Sequence, residues 1–225
     1  IHAFVVWRYI MPKIAVIADS NCGIMPSEEE KYGLHILPMP VIIDGKTYCE
    51  GTDISLEEFY RRQSQGAVIS TSQPSPGDVT AMWDRLLETH DEIVFIPMSS
   101  GLSSTCQTSL LLAAEEPYKG KVFVVDDHRI SVTQAVAALE ARNLAEAGKS
   151  PAEIKEILEK EARDATIYIA VDTLEYLKKG GRITAAAAAL GTVLRVKPVL
   201  TIQGEKLESY AKARGMKSAF QTMLD

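Results

Sequence analysis

Residues 93–109, IVFIPMSSGLSSTCQTS, pass from an apolar run into a cluster of hydroxyls, with Ser99, Ser100, Ser103, Ser104 and Thr105 grouped about Gly101. Hydroxyls at a strand-to-helix junction do one of two things: they cap the helix, or they offer hydrogen bonds to a ligand's acceptor. A helix start exposes four unpaired amides and one side chain usually serves it, so this cluster exceeds what capping needs. Three other segments are polar in the same way: Asp19, Ser20 and Asn21; Thr71, Ser72 and Gln73 ahead of Pro74; and Asp126, Asp127 and His128. Nucleophilic chemistry is a further option, since Gly101-Leu102-Ser103-Ser104-Thr105 comes one glycine short of the G-x-S-x-G elbow, with His35, His90 and His128 as possible bases. Cys106 reads as a small buried group rather than a nucleophile. No phosphate-cradling P-loop motif occurs, and no His, Cys, Asp or Glu cluster has metal-ligand spacing, so neither a metal nor a cofactor is expected.

These segments need elements to hold them. KIAVIA (13–18), HILPMPVII (35–43), EIVFIP (92–97) and KVFVVD (121–126) read as strands whose unalternated apolar character suits a sheet buried on both faces. Helical stretches lie between them. Ser27 with Glu30 and Ser55 with Glu58 match the capping box, and Ser150, Pro151 and Glu153 start a third helix, with Ile154, Ile157 and Leu158 on one stripe. Strand and helix in alternation predict an α/β fold with a largely parallel sheet covered by helices on both faces; three of the polar segments then follow a strand, residues 71–73 precede a helix start at Ser75 and Pro76, and all four could converge on the rim where such sheets bind ligands. Thr133–Ala147 is expected to be a helix ending at Gly148, which suggests a first α/β domain over 11–150 and a second over 151–225. The second would hold a strand at 166–171, the helix TLEYLKK stopped by Gly180 and Gly181, the alanine run 185–190, a strand at 198–202 and a final helical segment.

The whole chain narrows the classes. Its 225 residues are 46% hydrophobic and 24% charged, as expected of a folded globular protein and not of a disordered one. A formal charge of −6 gives no general attraction to nucleic acid or to an anionic membrane. Cys22, Cys49 and Cys106 are odd in number and widely spaced, which argues against a disulfide framework and fits a reducing cytoplasm. The opening IHAFVVWRYI is too short and too interrupted by Arg8 to span a membrane, so Met11 reads as the natural start and residues 1–10 as an upstream extension outside the fold.

Taken together, IADSNCGI, TSQPSP (71–76), MSSGLSSTCQTS (98–109), VVDDHRIS (124–131), VDTLEYLKKGGRI (171–183) and LRVKPVLTI (194–202) resemble the DegV family of bacterial fatty-acid-binding proteins. The resemblance implies two α/β domains enclosing a long-chain fatty acid, presented to a fatty-acid kinase for acyl phosphate formation by a protein that is not itself an enzyme. It places the carboxylate-binding hydroxyls at Thr71 and Ser103, lets Ser72, Ser99, Ser100 and Gly101 shape the same pocket through amides and hydroxyls, and puts Arg195 near the exit. Lys178, Lys179 and Arg182 belong either to that face or to a solvated helix end. Ser104 stands where the family usually has glycine, and the family continues into a glycine-rich turn and a carboxylate-contacting histidine that this chain lacks, so it reads as truncated. A serine-dependent acyl hydrolase and a small-anion sensor remain the alternatives from the residues alone.

Overall fold

The computed structural model describes residues 12–189, 196–203 and 205–224. The elements in chain order are β1 (Ile14–Asp19), α1 (Glu29–Tyr32), β2 (His35–Leu37), β3 (Pro40–Ile43), β4 (Lys46–Cys49), α2 (Leu56–Ser64), β5 (Ile69–Thr71), α3 (Pro76–Leu87), β6 (Glu92–Ile96), α4 (Thr105–Ala113), β7 (Val122–Val124), α5 (Ser131–Glu146), α6 (Pro151–Lys160), β8 (Ile167–Ala170), α7 (Glu175–Gly180), α8 (Ala185–Ala189), β9 (Val196–Ile202), β10 (Glu208–Arg214) and α9 (Met216–Leu224).

The parallel sheet has the order β2-β1-β6-β7. Its strands are apolar on both faces because successive side chains point opposite ways and both sides are covered. Val16, Ala18, Val94 and Ile96 pack under α5 and α6, while Ala15, Ile17, Ile93 and Phe95 pack under α3 and α4. Trp83 of α3 is 1% exposed and meets the rings of Phe95 and Tyr118 edge-on, at centroid separations of 6.2 Å and 5.1 Å. The expected α/β fold, with a parallel sheet between two helical layers, is therefore present. The chain leaves β1 toward β2 on one side and returns as β6 on the other, so the order reverses between β1 and β6. A crevice opens at such a switch point beyond the carboxyl ends of the strands.

Two expectations about this region are corrected. Residues 35–43 form two strands in different sheets, because Pro38 and Pro40 punctuate the run and proline cannot donate to a ladder. β3 instead centres a small antiparallel sheet, β4-β3-β5, with Val41, Ile43 and Ile54 as its own core and α2 alongside. Its hairpin turns at Asp44 and Gly45, whose φ values of 49° and 80° are the pair of left-handed conformations that an Asp-Gly turn supplies. The box assigned to Ser27 and Glu30 does not form either. Glu28 accepts from the Met25 amide at 3.2 Å, and α1 begins at Glu29. Ser55 does accept from the Glu58 amide at 3.2 Å, but the Glu58 carboxylate turns to Arg61 and Arg62; Ser75 with Asp78 and Ser150 with Glu153 make complete boxes.

Beyond α5 the expected border at 150 falls between two helices of one sheet, since Ile154 and Leu158 of α6 are fully buried in the same core as α5. A third sheet, β10-β9-β8, is antiparallel. Leu200 and Ile202 on one face of β9 pack with Leu174, Ile183 and Ala187, while Val199 on the other packs with Ala213 of β10 and Ala219 of α9. Met39, Met98 and Leu102, from the segments that follow β2 and β6, join the former cluster and so tie this sheet to the parallel one. Residues 1–10 lie outside the described residues.

Candidate functional site

At the switch point the carboxyl ends of β1 and β6 are tied through a buried carboxylate. Asp19 is 0% exposed; its Oδ2 accepts from the Met98 amide at 2.7 Å, and its Oδ1 accepts from the Asn21 amide, Asn21 Nδ2 and Gln134 Nε2. Burial raises its pKa, and these donors oppose the rise. The next turn is built by Ser99, which is wholly buried: its hydroxyl accepts from the Gly101 amide at 3.1 Å, its carbonyl takes the Leu102 and Ser103 amides, and its own amide donates to the Arg129 carbonyl at 2.8 Å. The Ser100 amide reaches Asp126 Oδ1 at 3.3 Å. The amides of residues 99–103 thus all have partners inside the protein. Ser99, Ser100 and Gly101 form the turn that carries Ser103 and do not present amides to a ligand, contrary to expectation.

Ser103 sits where the turn enters α4. Its Oγ accepts from the Thr105 amide at 3.2 Å and lies 2.9 Å from the Thr105 hydroxyl, which is buried. When Thr105 donates that bond, the Ser103 proton is free to point away from the helix. Thr71 ends β5 opposite Val41 and is exposed together with Ser72. The two hydroxyl segments are joined by Thr108, which donates to Gln73 Oε1 at 3.1 Å.

Thr71, Ser72 and Ser103 line one cavity of about 330 Å³. Its walls are mostly apolar: Met39, Val41 and Ile54, then Leu56, Phe59 and Tyr60 of α2, with Met98 and Leu102 below and Tyr176 and Leu177 of α7 across from them. Asn21, Glu50 and Arg182 add polar atoms. Arg182, whose basic segment had two possible roles, is the one cation among the described lining residues. Its Nε donates to the Leu102 carbonyl at 3.2 Å, its Nη1 donates to the Gly180 carbonyl, and no carboxylate pairs with it among the described residues. Lys178 and Lys179 are not in the wall; Lys179 pairs with Glu175 at 2.7 Å on the exposed side of α7. Arg195 lies outside the described residues.

The apolar wall from the small sheet escaped the sequence reading. Asp44-Gly45 between apolar runs, and Leu56, Phe59 and Tyr60 at helical spacing behind the Ser55 cap, were its available signals. Among the described residues no histidine lines the cavity, and the side-chain hydrogen bonds of Ser103 go to Thr105. The fourth polar segment lies behind the turn. Asp127 is 0% exposed, accepts from the Arg129 amide at 3.0 Å, and is pushed up to about 7 mainly by burial. Cys106 is fully buried and its thiol is pushed up to about 12, again by burial, as befits packing rather than reactivity.

A family model described as "Uncharacterised protein, DegV family" matches residues 13–225. A DegV domain-containing protein of Caldanaerobacter subterraneus subsp. tengcongensis is 32% identical over 215 residues, covering 96% of this chain and 76% of that protein. Among solved structures, a fatty-acid-binding DegV family protein from Thermus thermophilus superposes with a TM-score of 0.83 at 34% identity, covering 94% of this chain and 75% of that one. DegV of Bacillus subtilis, described as a fatty acid binding protein, gives 0.82 at 28% identity over 95% and 76%. A stearic acid-binding protein from Eubacterium ventriosum gives 0.82 at 26% over 93% and 75%.

Proposed function

The chain belongs to the DegV family, and we propose that it carries one long-chain fatty acid in the cavity at the switch point, with the carboxylate among Thr71, Ser72 and Ser103 and the acyl chain against the walls of α2, β3 and α7. The observation that carries this reading is the meeting of those hydroxyls with an apolar hollow of about 330 Å³. The solved relatives described as fatty-acid-binding support it. Energetically the tail dominates: burying a chain of roughly 16 carbons at about 0.8 kcal/mol each contributes about 12 kcal/mol before the cost of association. Each hydrogen bond to the charged head adds about 1.5 to 3 kcal/mol, offset by stripping water from it. The hydroxyls therefore set which end enters the rim, and Arg182 lowers the cost of holding a negative charge there.

The protein in this reading is a carrier and not an enzyme. It retains the acyl group while leaving the carboxylate where a fatty-acid kinase converts it to the acyl phosphate. Ser99, Ser100 and Gly101 act on the ligand indirectly, by holding Ser103 in place. The three free thiols suit a cytoplasmic setting. No helix among the described residues is long and apolar enough to cross a membrane. The test is an organic extract of the purified chain analysed by mass spectrometry. A long-chain fatty acid in near-stoichiometric amount is expected; an extract free of acyl species, from a protein that also fails to take up added stearate, rejects the reading.

A further inference from the structure

Resting on the reading of this cavity as an acyl site, we infer that it selects acyl chains that carry a hydroxyl group, with Glu50 and Asn21 as the acceptors. Glu50 is held rigidly in the wall. Its Oε2 accepts from the Ser20 hydroxyl at 2.6 Å, that hydroxyl accepts from the Met39 amide at 3.0 Å, and the Glu50 amide donates to the Met39 carbonyl at 3.0 Å. Ser20 is 2% exposed, so the clamp is internal to the fold. Beside it, Asn21 turns Nδ2 to Asp19 Oδ1 at 3.0 Å, which leaves its own Oδ1 facing the other way. Among the described residues, neither Glu50 Oε1 nor Asn21 Oδ1 accepts a hydrogen bond, and both residues line the cavity.

The cavity therefore has two unlike polar regions. Thr71, Ser72, Ser103 and Arg182 offer donors, which suit a carboxylate; Glu50 and Asn21 offer acceptors, which suit a donor. A carboxylate head is repelled by the Glu50 charge and settles at the donors. Glu50 and Asn21 are half-buried, and a plain methylene chain laid against them displaces their water and returns no hydrogen bond, a loss that grows as the chain shuts the acceptors off from solvent. A hydroxyl on the chain supplies the missing donor, and a charged, prepositioned acceptor rewards it more than a neutral one.

The test is displacement of a fluorescent fatty acid from the delipidated chain by stearic acid and by a panel of monohydroxystearic acids differing in hydroxyl position, with wild type, Glu50→Gln and Glu50→Leu. At least one isomer is expected to bind wild type about tenfold more tightly than stearate, as one hydrogen bond to a charged acceptor provides. Glu50→Gln keeps an oxygen for Ser20 and reduces the preference; Glu50→Leu abolishes it while stearate still binds. Wild type that binds stearate and no isomer better, or a preference unchanged in Glu50→Gln, overturns the inference and leaves the carrier reading standing. Equal weakening of stearate and hydroxystearate in the variants assigns Glu50 a purely structural role and also overturns it. Failure of every fatty acid to displace the probe rejects the carrier reading and the inference with it.

Discussion

Replacing Asp127 by asparagine makes the molecule more stable at neutral pH, by an amount that grows as pH rises. Asp127 is fully buried between Arg129, Asp126 and Asp19, accepts only the Arg129 amide, and has no partner for Oδ2 among the described residues. In the unfolded chain its carboxyl ionises around 3.8, and in the fold burial holds it to about 7. Below 3.8 both states are protonated and burial costs nothing through titration. Between the two values unfolding releases a proton, so each pH unit subtracts about 1.36 kcal/mol from the stability of the fold. Across the whole window this is on the order of 4 kcal/mol, a sizeable part of the 5–15 kcal/mol typical of a domain. Asparagine keeps Oδ1 for the Arg129 amide and does not titrate. In urea unfolding followed by circular dichroism, the advantage of Asp127→Asn over wild type is expected to widen by about 3 kcal/mol between about pH 5 and pH 8. Asp19, whose own carboxyl is also raised by burial, titrates in both proteins and largely cancels in the difference. A difference that stays constant with pH, or that narrows as pH rises, refutes the reasoning.

Other substitutions separate the roles assigned above. In the carrier reading proposed above, where the hydroxyl positions the head and the tail supplies the affinity, Ser103→Ala is expected to lower acyl phosphorylation by a fatty-acid kinase more than it lowers retention of the lipid; equal losses in the two assays contradict that division. Trp83→Ala removes the ring that Phe95 and Tyr118 pack against and costs about 3–5 kcal/mol in denaturant unfolding. A thiol reagent at alkaline pH is expected to label the partly exposed Cys49 slowly in the native protein, its thiol being raised by burial and by Asp53, whereas Cys22 and Cys106, buried and with thiols at about 11 and about 12, react only after denaturant is added.

How far the sequence could be read follows from where its signals are local. The strands of the parallel sheet declare themselves, since Ile14–Asp19 and Glu92–Ile96 are apolar on both faces. The boxes at Ser75 and Ser150 are equally legible, because a cap is a contact between residues three apart. Thr71, Ser72 and Ser103 were expected together and line one cavity. What failed depends on distant partners. Ser99, Ser100 and Gly101 have suitable groups, yet only the fold shows that their amides are already taken by Ser99, Asp126 and Arg129. Glu50 looks like a loop acid until Ser20, thirty residues earlier in the chain, is seen donating to it. β10 was missed because ESYAKAR has neither an apolar run nor a clean alternation, and it is held by pairing with β9.

The cavity has a mechanical consequence. One wall belongs to the cluster of Val41, Ile43 and Ile54, another to the cluster joining Leu174, Ile183 and Leu200 with Met39, Met98 and Leu102, and a third part, with Asn21, to the segments that follow β1 and β6. Each patch is a small core with its own melting tendency. A molecule lodged among them touches all three at once, so its binding energy is shared by parts that otherwise come undone separately. In the carrier reading proposed above the cargo is a keystone: the laden protein is expected to melt in one step, and the emptied one to loosen first where the small sheet β4-β3-β5 meets the rest.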